Sequence, residues 1–436
     1  MKAQRPAWPQ LSPALLAGGV MLVAINLRPA AASIGPVLDR IQADTGLSSG
    51  WAGALATLPV LCFGLLAPLA PALARRLGVY TAIAVALVAL STGMVVRLIP
   101  GDAFLFAGTA LAGAAIATGN VLLPVIVRRD FPHRAGGATA LYTTCLIGFA
   151  ALSAGLTVPL ANALGGGWRP GLGVWAIPAA VAAVAWLPAI LRRNAAPGAG
   201  VAPGAGVAAG AGAAAGAGAA EGPGTGAAEG AGAGLRAGSH APTVRPLLRR
   251  PLAWQVTLFF AVQSGGFYST LAWLPDIFRS HGASDSRAGF LLSLSIIVGL
   301  VTSTTLPGVA ARARDQRWLL TVCSSFWAAG LIGILAAPMS APLLWVVLLG
   351  LGQNSIFPLS LMLIVLRGGS VATTEGLSTL AQSVGYVLAA AFPLAVGAVH
   401  GAAGSWTPSL ILLVALLVPQ FALGLAAGRN RQLAPA

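Results

Sequence analysis

The sequence predicts an all-α integral membrane protein with twelve transmembrane helices in two pseudo-symmetric six-helix bundles. Three observations predict this fold class: the composition, the spacing of long apolar runs, and a likeness between the two halves of the chain. Of 436 residues, 57% are hydrophobic and only 8% are charged, whereas soluble domains have about 25% charged residues. Because so few charges cannot cover a water-facing surface, lipid must surround most of the chain.

Apolar runs of about 20 residues, the length that crosses a bilayer as a helix, recur along the chain. They do not alternate polar and apolar residues as the strands of a membrane β-barrel do. The predicted spans lie near residues 12–36, 50–74, 79–98, 103–127, 136–161, 171–191, 252–277, 287–310, 318–337, 341–366, 375–399 and 405–428.

The segment 194–244 separates the first six spans from the last six and is almost entirely Ala, Gly and Pro. Its small side chains cannot offset the entropy lost on ordering, so we expect a disordered linker. The predicted domains are therefore an N-terminal bundle over 1–193, this linker, and a C-terminal bundle over 245–436.

The net charge of +15 comes from Arg clusters between spans, with none of the interleaved aromatic residues typical of a nucleic-acid face. Most of these residues fall on one side if both termini and the linker are cytoplasmic, which is the positive-inside bias. We therefore expect a multi-pass protein of the cell membrane with lipid, and not nucleic acid, around it.

The two halves can be aligned to each other at several positions. Pro36 and Arg40 match Pro275 and Arg279, and the fourth and tenth spans both place Asn four residues before Pro, at Asn120 and Asn354. A repeat of six plus six spans around a cytoplasmic linker is the arrangement expected of the major facilitator architecture.

No motif for catalysis, for a cofactor or for a metal is visible. The sequence lacks a phosphate-binding G-x-x-x-x-G-K-[ST] loop, and the three cysteines each lie alone in apolar runs. We expect neither an enzyme nor an ATP-driven pump, and no cofactor.

Arg28 lies midway along the first predicted span. An arginine at a helix centre costs about 2.5–3.5 kcal/mol even on mild scales, and such residues usually face a cavity or a partner. Its guanidinium suits a carboxylate or another small anion. The alternative is a structural role, in which Arg28 binds backbone carbonyls freed by Pro29 or Pro36.

Further polar residues lie within the spans that line the central path of a two-lobed transporter. Each could instead be interhelical packing worth about 0.6 kcal/mol. With Arg28, the candidate substrate-binding residues are Asn120, Tyr142, Gln263, Tyr268, Gln353, Asn354 and Gln382.

The acidic residues all fall at predicted helix ends or in loops. A buried carboxylate that loads and unloads a proton is therefore missing, which disfavours a proton-coupled multidrug exporter. A transport-inactive membrane sensor or assembly partner is a second alternative, but no signalling domain is present. We expect a secondary or facilitative transporter, monomeric, for a small anionic or polar solute.

Several stretches resemble the cyanate / 2-nitroimidazole permease family of the major facilitator superfamily. They include Asn26-Leu27-Arg28-Pro29-Ala30, Gly119-Asn120-Val121-Leu122-Leu123-Pro124, Leu271-Ala272-Trp273-Leu274-Pro275 and Leu349-Gly350-Leu351-Gly352-Gln353. The resemblance implies alternating-access transport of a cyanate- or nitroimidazole-like compound. It also implies a gating role for Arg75 and Arg76 in the loop after the second span, although Pro71 stands where the superfamily motif has Asp.

Overall fold

The structure, a computed structural model, describes residues 13–131, 135–193 and 244–433. All regular elements within these residues are helices, which group into twelve spans. In chain order the spans are Pro13–Asn26 with Pro29–Ala32 and Leu38–Thr45, Ser49–Leu66 with Ala70–Leu77, Val79–Val96, Asp102–Asp130, Ala135–Ala163, Trp168–Gly173 with Ala176–Arg193, Pro251–Ser280, Asp285–Arg312, Arg317–Ala336, Pro342–Gly368, Val371–Ala403, and Thr407–Ala415 with Leu417–Ala427. The fold class predicted from the sequence is confirmed, while the linker expected at 194–244 lies outside the described residues except for Val244.

Eleven of these spans are long and apolar enough to cross a membrane by length and composition. The seventh, Pro251–Ser280, is not among the eleven, although its 30 residues exceed the length a bilayer needs. This helix includes Gln263, Ser264, Asp276 and Arg279, and most of its residues are buried against other helices. It can be more polar than its neighbours because protein, and not lipid, surrounds it.

The first span is interrupted close to its middle. The helix ends at Asn26 and resumes at Pro29, which cannot donate a backbone hydrogen bond. Backbone carbonyls within a membrane protein need internal donors, and Arg97 supplies one by donating from Nη1 to the Ala30 carbonyl at 2.9 Å. The interruption places Arg28 between two helical segments.

Close helix packing joins the two lobes, which are spans one to six and spans seven to twelve. The second span packs on the eleventh and the fifth packs on the eighth. Glycines allow the approach, since a Cβ at Gly53 would lie 2.8 Å from the Pro393 carbonyl oxygen and one at Gly397 would lie 2.6 Å from that of Ser49. The lobes are therefore in direct backbone contact near the start of the second span.

The two ends of the bundle differ in charge. Arg75, Arg76, Arg129 and Arg312 lie where the second, fourth and eighth spans end, and this end is called the basic end below. The first and seventh spans end at the opposite end, at Thr45 and Ser280.

Candidate functional site

Two adjoining cavities lie between the lobes, with volumes of about 140 and 120 Å³. They share four lining residues, Arg28, Thr143, Leu146 and Phe357. The first cavity extends toward the basic end, because Ala67 and Pro68, beyond the end of the Ser49–Leu66 helix, also line it. Both lobes contribute to both cavities, which is the position expected of a transporter's substrate site.

Arg28 is the cation at the boundary of the two cavities. Its Nε is buried and has no hydrogen-bond partner, and the Tyr268 hydroxyl lies within reach of the guanidinium. Among the described residues that line either cavity there is no Asp or Glu. A half-buried guanidinium without a counter-ion favours an anion that enters from solution.

Aromatic side chains from both lobes line the same cavities as Arg28. Phe63 of the second span, Tyr268 of the seventh and Tyr386 of the eleventh form a triangle with ring centroids 5.7–6.5 Å apart. Phe63 and Tyr386 line the first cavity and Tyr268 lines the second. The site is therefore a single positive charge in an aromatic setting.

Most of the polar residues proposed from the sequence also line these cavities. Asn120, Tyr142 and Gln382 line the first cavity, and Gln263 and Asn354 line the second. Their existing hydrogen bonds differ. Gln382 donates to Ser378 Oγ at 2.8 Å within its own helix, whereas Asn354 donates to the Ser295 carbonyl at 2.8 Å and so ties the tenth span to the eighth.

Gln263 has a hydrogen-bonding atom to spare. The residue is 1% exposed, its Nε2 donates to Ser264 Oγ at 2.6 Å, and its Oε1 has no partner. Reversing the amide would leave the nitrogen unpaired instead. In either orientation one buried polar atom at the cavity is available to a ligand.

Three candidates from the sequence lie elsewhere. Gln353 is buried but is not among the residues lining the two cavities, and its Nε2 donates to Thr270 Oγ1 of the seventh span at 3.1 Å. That contact matches the alternative of interhelical packing. Arg75 and Arg76 are exposed at the end of Ala70–Leu77, away from the cavities, and their gating role stays a prediction.

Sequence reasoning missed Phe63, Thr143, Phe357 and Tyr386, which the structure brings to the cavities. Aromatic residues in apolar runs have no local signal that separates a cavity wall from a lipid-facing surface. Of the four, Phe63 lies in the stretch Thr57–Leu65 and Thr143 in Leu141–Thr144, which also resemble the permease family, and this was the only available sign.

Charged residues bridge the two lobes at the end opposite the basic end. Arg40 of the first span forms an ion pair with Asp285 of the eighth. Arg279 of the seventh span lies 2.9 Å from Asp39 of the first and donates to the Pro36 carbonyl at 2.8 Å. These contacts close this end of the passage between the lobes.

The charges at the basic end make a different kind of contact. Arg317 binds Asp315 at 2.7 Å within the second lobe. The hydrogen bond from the Arg317 side chain holds the pKa of the Asp315 carboxyl below its usual value. This ion pair does not join the lobes, in contrast to the pairs at the opposite end.

Comparison with known proteins agrees with this architecture. The chain is similar to an uncharacterized transporter of Bacillus subtilis (strain 168), with 36% identity over 95% of this chain and 93% of that protein. It is also similar to the 2-nitroimidazole transporter of Escherichia coli (strain K12), at 33% identity over 96% of each chain. The cyanate transport protein CynX of the same organism is 27% identical over 92% of this chain and 94% of its own length.

A solved structure shows the same fold at low sequence identity. A bacterial homologue of the human lysosomal transporter Spinster superposes with a TM-score of 0.68 at 15% identity, covering 98% of this chain and 100% of that one. The family model of the Major Facilitator Superfamily matches residues 20–390. The chain therefore belongs to the Major Facilitator Superfamily and is a multi-pass membrane transporter, not an enzyme.

Proposed function

We propose that this transporter moves a small anion across the cell membrane by alternating access, with Arg28 as the group that binds the anion. One observation supports this most directly: Arg28 faces the central cavities, Nε has no partner, and no carboxylate from the described residues lines either cavity. An arginine in mid-membrane costs about 2.5–3.5 kcal/mol. A bound anion offsets this cost through charge-assisted hydrogen bonds.

The names of the relatives agree with a small polar or anionic solute. One is a cyanate transport protein and one is a 2-nitroimidazole transporter. Both names describe compounds of a few heavy atoms, which suits cavities of about 140 and 120 Å³. We carry over the size and polarity of these compounds to this chain, and neither compound itself.

The conformation supports the alternating-access part of the proposal. The lobes are bridged by Arg40–Asp285 and Arg279–Asp39 at one end, while the first cavity extends toward the basic end. The positive-inside bias supports a cytoplasmic location for the basic end, the termini and the segment 194–244. The chain is then inward-facing, with 1–193 and 245–436 as the two lobes that rock about the site.

A proton-coupled multidrug exporter is the second candidate. Proton coupling within the membrane needs a titrating group in the path, and the two cavities lack a carboxylate among the described residues that line them. An anion transporter accounts for the same cavities without such a group.

Binding and transport by Arg28 variants test the proposal. Arg28→Lys keeps the charge but loses the planar fork, so we expect weaker binding of cyanate or benzoate. Arg28→Ala should abolish binding and uptake into liposomes while the protein stays monodisperse. Arg287→Ala, which removes an exposed arginine in the first turn of the eighth span, is the matched control and should behave as wild type.

The structural alternative for Arg28 has a different signature. If Arg28 only pins the interrupted first span, Arg28→Ala lowers the melting temperature but the folded fraction binds anions with unchanged affinity. That result would remove Arg28 from the binding site.

A further inference from the structure

An inorganic anion needs the charge of Arg28 but makes no use of the aromatic triangle of Phe63, Tyr268 and Tyr386 that lines the same cavities. Phe63–Tyr386 centroids are 5.7 Å apart, Phe63–Tyr268 are 6.3 Å apart and Tyr268–Tyr386 are 6.5 Å apart. The three rings come from both lobes, so the triangle exists only where the lobes meet. Phe63 and Tyr268 are buried, at 4% and 5% exposure, and Tyr386 lines the first cavity.

The cavities have the size of one aromatic ring. An apolar cavity of about 150 Å³ accommodates benzene, and the two cavities measure about 140 and 120 Å³. Arg28 lies on the wall that they share. A single ring therefore matches the size of one cavity, with its acidic group at Arg28 where the second cavity adjoins, whereas a fused polycyclic compound would have to occupy both cavities.

Resting on the function proposed above, we infer that the substrate is a planar, single-ring aromatic anion and that Phe63 and Tyr386 determine this specificity. The carboxylate or equivalent acidic group binds the Arg28 guanidinium, and the ring packs edge-to-face or offset against the aromatic triangle.

A ring contact has a geometric preference that a saturated ring cannot satisfy. The face of an aromatic ring is negative and its edge is positive, so an aromatic ligand aligns its edge to a Tyr or Phe face while remaining flat in a narrow space. Cyclohexanecarboxylate has the same charge and the same number of ring carbons as benzoate, but it is puckered and has no π-system. The pair therefore separates recognition of the aromatic ring from recognition of charge and size.

Titration calorimetry of the purified full chain with benzoate, cyclohexanecarboxylate and cyanate tests the inference. We expect benzoate to bind about tenfold tighter than cyclohexanecarboxylate. In Tyr386→Leu and in Phe63→Leu the ratio of the affinity for benzoate to that for cyclohexanecarboxylate should fall by roughly threefold to tenfold, the range of one aromatic contact. Tyr386→Phe should keep the wild-type ratio.

Phe106→Leu is the matched control, because Phe106 packs on Trp51 away from the cavities. It should leave the benzoate-to-cyclohexanecarboxylate ratio unchanged. If the rings only pack the lobes together, Tyr386→Leu and Phe63→Leu weaken both acids equally, and that outcome overturns the inference.

The outcomes separate this inference from the function on which it rests. Equal affinity of the wild-type protein for the two acids, with binding of both lost in Arg28→Ala, overturns aromatic specificity and leaves anion transport intact. Binding of cyanate alone, dependent on Arg28, likewise overturns aromatic specificity and leaves anion transport intact. Anion binding that is unaffected by Arg28→Ala, or no anion binding at all, overturns both.

Discussion

Neutralising Arg279 perturbs the interlobe ion pairs that close one end of the protein. In Arg279→Gln the contact with Asp39 at 2.9 Å and the hydrogen bond to the Pro36 carbonyl are lost. Both contacts join the lobes, so they exist only while this end is closed. The pair of Arg279 with Asp276 lies within the seventh span, so it does not depend on contact between the lobes and is not counted in the shift of the equilibrium.

The size of the effect follows from burial. The Arg279 side chain is 10% exposed and that of Asp39 is 41% exposed, which places their interaction between a surface pair of about 0–1 kcal/mol and a buried one of about 3–5 kcal/mol. Because solvent near Asp39 weakens the ion pair, we take its contribution as about 1 kcal/mol, and the hydrogen bond to Pro36 adds about 1 kcal/mol. Arg279→Gln therefore removes about 2 kcal/mol of the free energy that holds the lobes together at this end. This shifts the conformational equilibrium roughly thirtyfold toward the state open at this end.

Thiol labelling measures that shift. The assay uses a background in which Cys62, Cys145 and Cys323 are replaced by Ala, and a single cysteine at the cavity position Ile147. With the basic end in the cytoplasm as proposed above, a membrane-impermeant maleimide applied outside right-side-out vesicles should reach this cysteine only when the opposite, outer end opens. We expect Arg279→Gln to raise the labelling rate by tens of fold and Arg40→Gln to raise it by less, because Arg40 loses only its ion pair with Asp285 across the lobes, whereas Arg279 also loses its hydrogen bond to the Pro36 carbonyl.

Two controls fix the interpretation. Arg169→Gln breaks an ion pair with Asp44 at 2.6 Å that lies within the first lobe, and it should leave the labelling rate unchanged. A cysteine at Arg314, exposed at the basic end, should react only from the cytoplasmic side. Folded Arg279→Gln and Arg40→Gln proteins that both label as slowly as the wild type would refute the assignment of these ion pairs as the outer closure.

Two further predictions concern the packing around the same passage. Gly53→Ala places a Cβ 2.8 Å from the Pro393 carbonyl oxygen, so it should separate the second and eleventh spans and raise the rate of labelling from outside, as Arg279→Gln does. Gly148→Ala is the control, because there is open space around Gly148. Equal labelling rates of the two variants would contradict the prediction. Arg97→Met leaves the buried Ala30 carbonyl without its donor, which should cost about 1–3 kcal/mol and lower the melting temperature in detergent. An unchanged melting temperature would show that another group satisfies that carbonyl.

Local sequence predicted the spans well, because the length and hydropathy of each run determine whether it can cross a bilayer. The described helices fall on the predicted ranges, from Val79–Val96 to Thr407–Ala415. The seventh span was predicted from its apolar run even though its composition is the most polar, and only packing explains how it tolerates Asp276 and Arg279. Arg28 was also identified from sequence, since a lone charge in an apolar run is visible without any tertiary information.

The rest depended on which distant residues meet. Gln353 and Asn354 are neighbours in sequence, yet Asn354 lines a cavity and Gln353 binds Thr270 beside it, because adjacent residues on a helix point about 100° apart. Phe63 and Tyr386 gave no signal, since an aromatic residue looks the same in sequence whether it faces lipid or a cavity. Arg40 and Asp285 are 245 positions apart, and nothing in their local sequence pairs them. The sequence by itself thus determined the helices and the arginine in the middle of the first span, whereas the aromatic triangle and the closed end were decided by the tertiary structure, because both arise from contacts between the two lobes.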